Sequence, residues 1–309
     1  MAEMSFRERI LAVSLPASDE HAGDETAGVQ SSKFREFCRR FARNKMGMLG
    51  LCILVVMIFV ALLAPVLAPE GYDLQILSDS LKAPSGEHLL GTDNLGRDIL
   101  ARIIWGARYS LSVGVISVAI AATIGAVLGV VAGFYSGTTE TVVMRVLDVF
   151  MGIPPILLAL SVAAALGGGL MNLMIAVSIS SVPSFARIVR ASVLSVKDQE
   201  FVEAARCTGC SSMRIMFKYV FPNCLSPLIV QATLGVASAI LAASTMSFIG
   251  LGLQPPIPEW GAMLSVGRSY IRQAWWTCTF PGIMIALTVF ALNVFGDGMR
   301  DALDPKMKR

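Results

Sequence analysis

Between Lys45 and Glu70 the chain carries no charged residue and no His for 24 positions, and four more such runs follow. They lie between Arg108 and Glu140 (31 residues), Asp148 and Arg187 (38), Lys218 and Glu259 (40), and Arg272 and Asp297 (24). A helix of 24 residues reaches about 36 Å, against about 30 Å of bilayer hydrocarbon. The third run is too long for one crossing, and Gly167, Gly168, Gly169 and the polar Asn172 interrupt it. It reads as two helices joined by a tight turn. Pro222 and Pro227 open the fourth run and Pro255 with Pro256 close it, leaving room for one helix. The expectation is an all-α membrane protein with six transmembrane helices, at about 48–68, 109–134, 142–166, 170–190, 228–251 and 279–297. A lipid-facing barrel would alternate apolar and polar residues, and these solid apolar runs exclude it.

Composition agrees. Of 309 residues 55% are apolar and 15% charged, where a soluble domain carries about 25% charged residues. This excludes a disordered chain, a collagen and a disulfide scaffold, and argues against a water-soluble enzyme. A formal net charge of +3 indicates no polyanionic partner, and so no nucleic acid.

The basic residues are unevenly placed. With the N-terminus inside, 19 of the 25 Lys and Arg fall on the inner side. Lys82, Arg97, Arg102, Arg108, Arg268 and Arg272 remain outside. That bias puts both termini in the cytoplasm. Residues 1–17 lack an h-region long enough for a cleaved signal. In this topology Cys38, Cys207 and Cys210 face a reducing compartment, and Cys278 alone lies near the outer face, so no disulfide framework is expected. Cys207 and Cys210 have the spacing of half a zinc site. No second Cys/His pair completes four ligands, and they read as two helix neighbours.

Residues 1–32 read as a flexible tail. From Lys33 to Lys45, Phe34, Phe37 and Phe41 share a helical face among Arg35, Arg39, Arg40 and Arg43. That suits a helix in the inner headgroup layer, and equally the plain basic flank of a first span. Residues 69–108 form an outer segment. In it Asp93 is placed to cap a short helix, and Asp98 precedes Arg102 by four, the favoured acid–base order. Gly125, Gly129 and Gly133 mark a close helix–helix approach. Arg145 and Asp148 are spaced to pair. Ser178, Ser181, Asn172, Gln231 and Asn293 are polar groups within spans, fit either for a pore or for helix packing.

Between the fourth and fifth spans stands Glu203-Ala204-Ala205, then, after three residues, Gly209, and after nine more Tyr219-Val220-Phe221-Pro222. Adjacent alanines leave a helix without bulk on one face, where another protein can approach. Gly209 permits a left-handed cap, and Pro222 ends one element and opens the next. Composition alone supports a compact helix-turn-helix here.

The spacing resembles the signature of inner-membrane permease subunits of ABC importers: Glu-Ala-Ala, three residues, Gly, nine residues, Ile-x-Leu-Pro. Tyr219 and Phe221 depart from it but stay bulky and apolar. Leu90-Gly-Thr-Asp-Asn-Leu-Gly-Arg-Asp, Gly250-Leu-Gly-Leu-Gln-Pro-Pro-Ile-Pro-Glu-Trp-Gly-Ala-Met-Leu and Gly296-Asp-Gly-Met-Arg-Asp-Ala-Leu-Asp-Pro resemble the "C" permease of dipeptide, oligopeptide and nickel importers. The likeness runs from about Phe34 to Lys308. It implies a type I importer permease of the bacterial inner membrane, with the amphipathic segment and first span at 33–68. A five-helix core follows at 109–300 with a coupling loop at 191–227, and 301–309 is a cytoplasmic tail. It further implies a "B"-type permease partner, two ABC ATPase subunits that bind the ATP and magnesium, and an extracytoplasmic binding protein delivering di- or oligopeptides. Nickel, glutathione or another small solute is the alternative cargo. Glu203, Ala204, Ala205, Gly209, Tyr219, Phe221 and Pro222 would form the coupling helix. The segment 254–263 and the 69–108 loop would meet the binding protein outside, while Trp260, Trp275 and Trp276 also suit a plain interfacial aromatic belt. The chain itself is expected to be no enzyme and to hold no cofactor. A P-loop needs a Gly-Lys pair, which the sequence lacks. An intramembrane enzyme would want His or paired Asp in its spans, and an ion-driven carrier buried charges at the midplane. The spans offer neither.

Overall fold

The computed structural model describes residues 35–303. The tail expected over 1–32, Lys33, Phe34 and residues 304–309 lie outside the described residues. The chain is helical over 35–43 (α1). Then come α2 (Lys45–Leu62), α3 (Ile99–Tyr135), α4 (Gly137–Met151), α5 (Pro155–Leu166), α6 (Leu170–Val196), α7 (Glu200–Cys207), α8 (Leu225–Ile249), α9 (Trp260–Gly267) and α10 (Trp276–Leu303). Five helical runs are long and apolar enough to cross a bilayer, and α4 with α5 makes a sixth if the bent pair counts as one crossing. Among the described residues the sole β feature is an isolated bridge between Thr92 and Asp98.

The expected third span, 142–166, is not one helix. α4 and α5 meet at 86°. Pro154 has no N–H to donate, and the residue before a proline is pushed out of the α region, so α4 stops before Ile153-Pro154-Pro155. Three other helices outrun their charge-free windows. α3 begins at Ile99 rather than 109, α6 continues to Val196, and α10 to Leu303. A charge limits how far a segment sinks into hydrocarbon, but it does not stop a helix that emerges into headgroups and water.

Close backbone approach holds the bundle together. A Cβ on Gly125 would stand 2.5 Å from the Phe185 Cβ, on Gly129 2.5 Å from the Ala186 carbonyl oxygen, and on Gly133 2.8 Å from Val193. The glycine series therefore seats α3 against α6 within this one chain. On the other side, a Cβ on Gly50 of α2 would stand 2.7 Å from the Ala291 carbonyl of α10. Phe41 of α1 is buried where those two helices cross, and packs edge-on against Phe295. The main core lies among α3, α5, α6 and α8.

One end of the bundle gathers the beginning of α2 and the end of α10, where Asn44 Nδ2 donates to Asp301 (3.0 Å). This is the terminal end. Arg190 of α6 and Lys197 just past its end reach the start of α4 and its cap there, through Glu140 (2.7 Å) and Ser136. The opposite, loop end carries residues 68–98 and 250–275.

Candidate functional site

At the terminal end α6 gives way to α7. Glu200 and Glu203 occupy the first turn of α7 and Arg206 the last, which suits the helix dipole. Val202 and Ala205 lie one turn apart and are buried. They pack with Val189, Val193 and Val196 of α6 and with Ile215, Met216, Val220 and Cys224 of the segment that follows. Successive residues on a helix are rotated by about 100°, so the two alanines part company. Ala205 is in the chain's own core, while Glu203 and Ala204 are exposed. The single smooth face expected of both is carried by Ala204.

Gly209 has φ +76°. Its N–H donates to the Arg206 carbonyl (2.9 Å) and the Cys210 N–H to the Ala205 carbonyl (3.2 Å), which together form a Schellman cap. A Cβ here would meet nothing within 4 Å, so the requirement for Gly is one of backbone conformation alone. The chain then returns through Ser212–Arg214, a π-helical turn at Ile215–Val220 and a 3-10 turn at Phe221–Cys224. Tyr219 and Phe221 are half-buried against the same cluster as Ala205. Pro222 is exposed at the first turn of the 3-10 segment. The expected residues thus divide into an outward set (Glu203, Ala204, Gly209, Pro222) and a supporting set (Ala205, Tyr219, Phe221).

Sequence reasoning missed the apolar part of this elbow. Phe201, Met213 (54% exposed) and Phe217 (57%) are exposed rather than packed into the core. The signal was their spacing against the buried Val202, Ile215 and Met216, legible once the helical phase is known. Cys207 ends α7 and is exposed, whereas Cys210 lies beyond the cap, its sulfur 3.7 Å from the Thr208 hydroxyl. They are not neighbours on one helix, and no group of three or more metal-ligating side chains occurs among the described residues.

Beside the elbow, α6, α8 and α10 enclose an open groove of about 590 Å³ lined by Ile188, Asn223, Ser226, Gln231, Leu234 and Arg300 among others. Of the five intramembrane polar candidates only Gln231 lines it. Ser178 donates to the Ser117 carbonyl (3.0 Å), Ser181 to that of Val177 (3.0 Å), and Asn172 caps the end of α5 at the Leu166 carbonyl (2.9 Å).

The loop end is a tied platform. Asp93 does not cap α3. Asp98 does, accepting from the Ala101 N–H (2.8 Å). Asp93 instead accepts from the Leu95 and Arg97 N–H groups and from Arg97 Nε (2.7 Å). Arg102, expected to pair with Asp98, lies 3.7 Å from Asp93 and donates to the Tyr72 carbonyl. Likewise Asp148 pairs not with Arg145 but with Arg187 of α6 (2.9 Å). Trp260 and Trp276 are buried, their N–H groups on the Ile103 and Thr92 carbonyls, so neither belongs to an aromatic belt. Trp275 is exposed. Glu259 is buried and caps α9, accepting from the Gly261 and Ala262 N–H groups.

Comparisons with known proteins converge. Residues 125–309 match the family model "Binding-protein-dependent transport system inner membrane component", and residues 32–84 match "N-terminal TM domain of oligopeptide transport permease C". The chain is 45% identical to the di/tripeptide transport system permease protein DppC of Pseudomonas aeruginosa strain UCBPP-PA14, over 95% of this chain and 97% of that one. It is equally 45% identical to the glutathione transport system permease protein GsiD of Escherichia coli O157:H7, over 89% and 91%. Among solved structures, an inward-facing MetNI methionine ABC transporter superposes with a TM-score of 0.56 at 19% identity, covering 67% of this chain and 98% of that one. That likeness is one of fold.

Proposed function

The chain belongs to the family of binding-protein-dependent transport system inner membrane components, and from that premise we propose that it is the "C"-type half of a peptide-conducting pore, moved by ATPases it does not itself contain. The elbow at the terminal end carries the proposal. Phe201, Ala204, Met213 and Phe217 are apolar and exposed on the elbow, as is the acidic Glu203. A cleft on an ATPase subunit would bury those apolar groups and meet the carboxylate. The Schellman cap at Gly209 and the core beneath Ala205 make the elbow rigid, and α6 and α8 leave from its two sides. A push there is therefore delivered to two membrane-crossing helices at once. Two ATPases would bind ATP and magnesium, a "B"-type permease would complete the pore, and a binding protein would deliver cargo at the loop end. The terminal end then faces the cytoplasm, as the excess of Lys and Arg there favours.

The relatives' names point to di- and tripeptides or to glutathione, itself a peptide. Gln231 and Arg300 in the groove beside the elbow offer an amide and a cation to such a solute. The test is uptake into proteoliposomes holding the permease pair and its ATPases, with binding protein supplied outside. ATP inside should drive accumulation of a labelled dipeptide, and unlabelled glutathione would compete if the cargo range includes it. Uptake driven by an ion gradient without ATP would refute the proposal.

A further inference from the structure

His88 sits in the loop-end segment between two carboxylates. Its Nδ1 is 3.0 Å from Asp98 Oδ2 and its Nε2 3.4 Å from Asp79 Oδ2, and its side chain is only 15% exposed. Asp98 is the cap of α3, its other oxygen taken by the Ala101 N–H. Asp79 ends the turn Leu77–Asp79 and is also paired with Lys82 (2.6 Å). The His88 carbonyl also accepts from the Ser85 and Gly91 N–H groups, which fixes the backbone that carries the ring. Arg97 and Arg102 are committed to Asp93 and do not compete. Glu87 is the remaining charged neighbour along the chain, and Trp276 of α10, beneath Gly91, brings none.

A neutral imidazole has one N–H and one lone pair. With an acceptor at each nitrogen, one carboxylate must then face a lone pair, and only the imidazolium donates to both. We propose that His88 is an acid-dependent clasp that fastens the 77–98 segment to the start of α3, tight when the ring is protonated and slack when it is not. The hydrogen bond that the ring donates to Asp98, then that to Asp79, raises its pKa above the ordinary 6.5 against the opposing effect of burial. The clasp's stabilisation is therefore complete below about pH 6.5 and is lost as pH rises through the higher native value. It operates whatever the cargo.

Hydrogen–deuterium exchange of the assembled transporter in nanodiscs, from pH 5.5 to 8.5 and corrected for intrinsic exchange, tests it. Protection of peptides within 77–98 should rise on acidification with a midpoint above 6.5, by up to about tenfold for each unit that the native pKa exceeds the unfolded one. H88Q should abolish the dependence. D79N, which leaves a single carboxylate facing the ring and spares the α3 cap, should move the midpoint down. Wild-type protection that is flat with pH, or a dependence that survives H88Q or is unmoved by D79N, would overturn the clasp.

Discussion

Asp93 is the carboxylate shared by two guanidinium groups that are nearly sealed from water, Arg97 at 3% and Arg102 at 4% exposure. Removing it leaves both buried charges without their shared carboxylate, which costs about 3–5 kcal/mol. Asp73 touches the same Arg97 at 3.7 Å but is half exposed, and an exposed pair is worth about 0–1 kcal/mol. D93A should therefore lower the thermal midpoint of the detergent-solubilised transporter markedly and D73A barely; equal shifts would contradict this partition. Gly209 tests the elbow. A side chain there meets no neighbour, so G209V adds only left-handed backbone strain of about 1–2 kcal/mol. The subunit should still insert and assemble, while ATP-driven uptake falls; uptake at the parental level would show that the cap is not part of the drive. Gly209 was legible in the sequence because a left-handed cap needs glycine wherever the neighbours are. The choice between Asp93 and Asp98 as helix cap was not. Both precede helix-forming residues, and what separates them is Arg97 and Arg102 folding back onto the first.

At the scale of elements, the α3–α6 seam depends on glycines that admit backbone. A Cβ at Gly129 would fall 2.5 Å from a carbonyl oxygen and 3.0 Å from the Arg190 nitrogen, atoms that cannot rotate aside. G129V should force the two helices apart and spoil the monodisperse size-exclusion peak. A clean peak with wild-type stability would mean that the seam yields. The i, i+4 glycines announced a close helix pair, but α6 as the partner came only with the fold. The break between α4 and α5 was written in Pro154-Pro155. Hydropathy passed over it because those prolines lie in an apolar run, and a hydrophobic window measures affinity for lipid, not the continuity of hydrogen bonds.

For the molecule as a whole, burial is uneven. In the most apolar stretch of α6, 56% of residues are buried, against 22% in the most apolar stretch of the run Ser212–Ile249 that includes α8. Leu241, Phe248 and Ile249 project from α8 at more than a third exposure. We expect the second permease to cover that face. A spin label at Leu241→Cys, in a background without the native cysteines, should show low oxygen accessibility in the assembled transporter; high accessibility would place α8 against acyl chains. In that background Arg43→Cys, exposed at the terminal end away from the elbow, should react with an impermeant maleimide only after spheroplasts are opened, and Ser78→Cys beforehand; the reverse pattern would invert the topology. The crossings and their charge bias could be read from the linear chain, because hydrocarbon penalises each charge wherever the rest of the chain goes, and the Gly209 turn could be read because its constraint is local. Which acid holds which base, that Ala205 turns inward while Phe201, Met213 and Phe217 turn outward, and that Trp260 and Trp276 are core rather than belt emerged from the folded chain alone. Each depends on groups many residues away, and their approach is set by packing rather than by spacing.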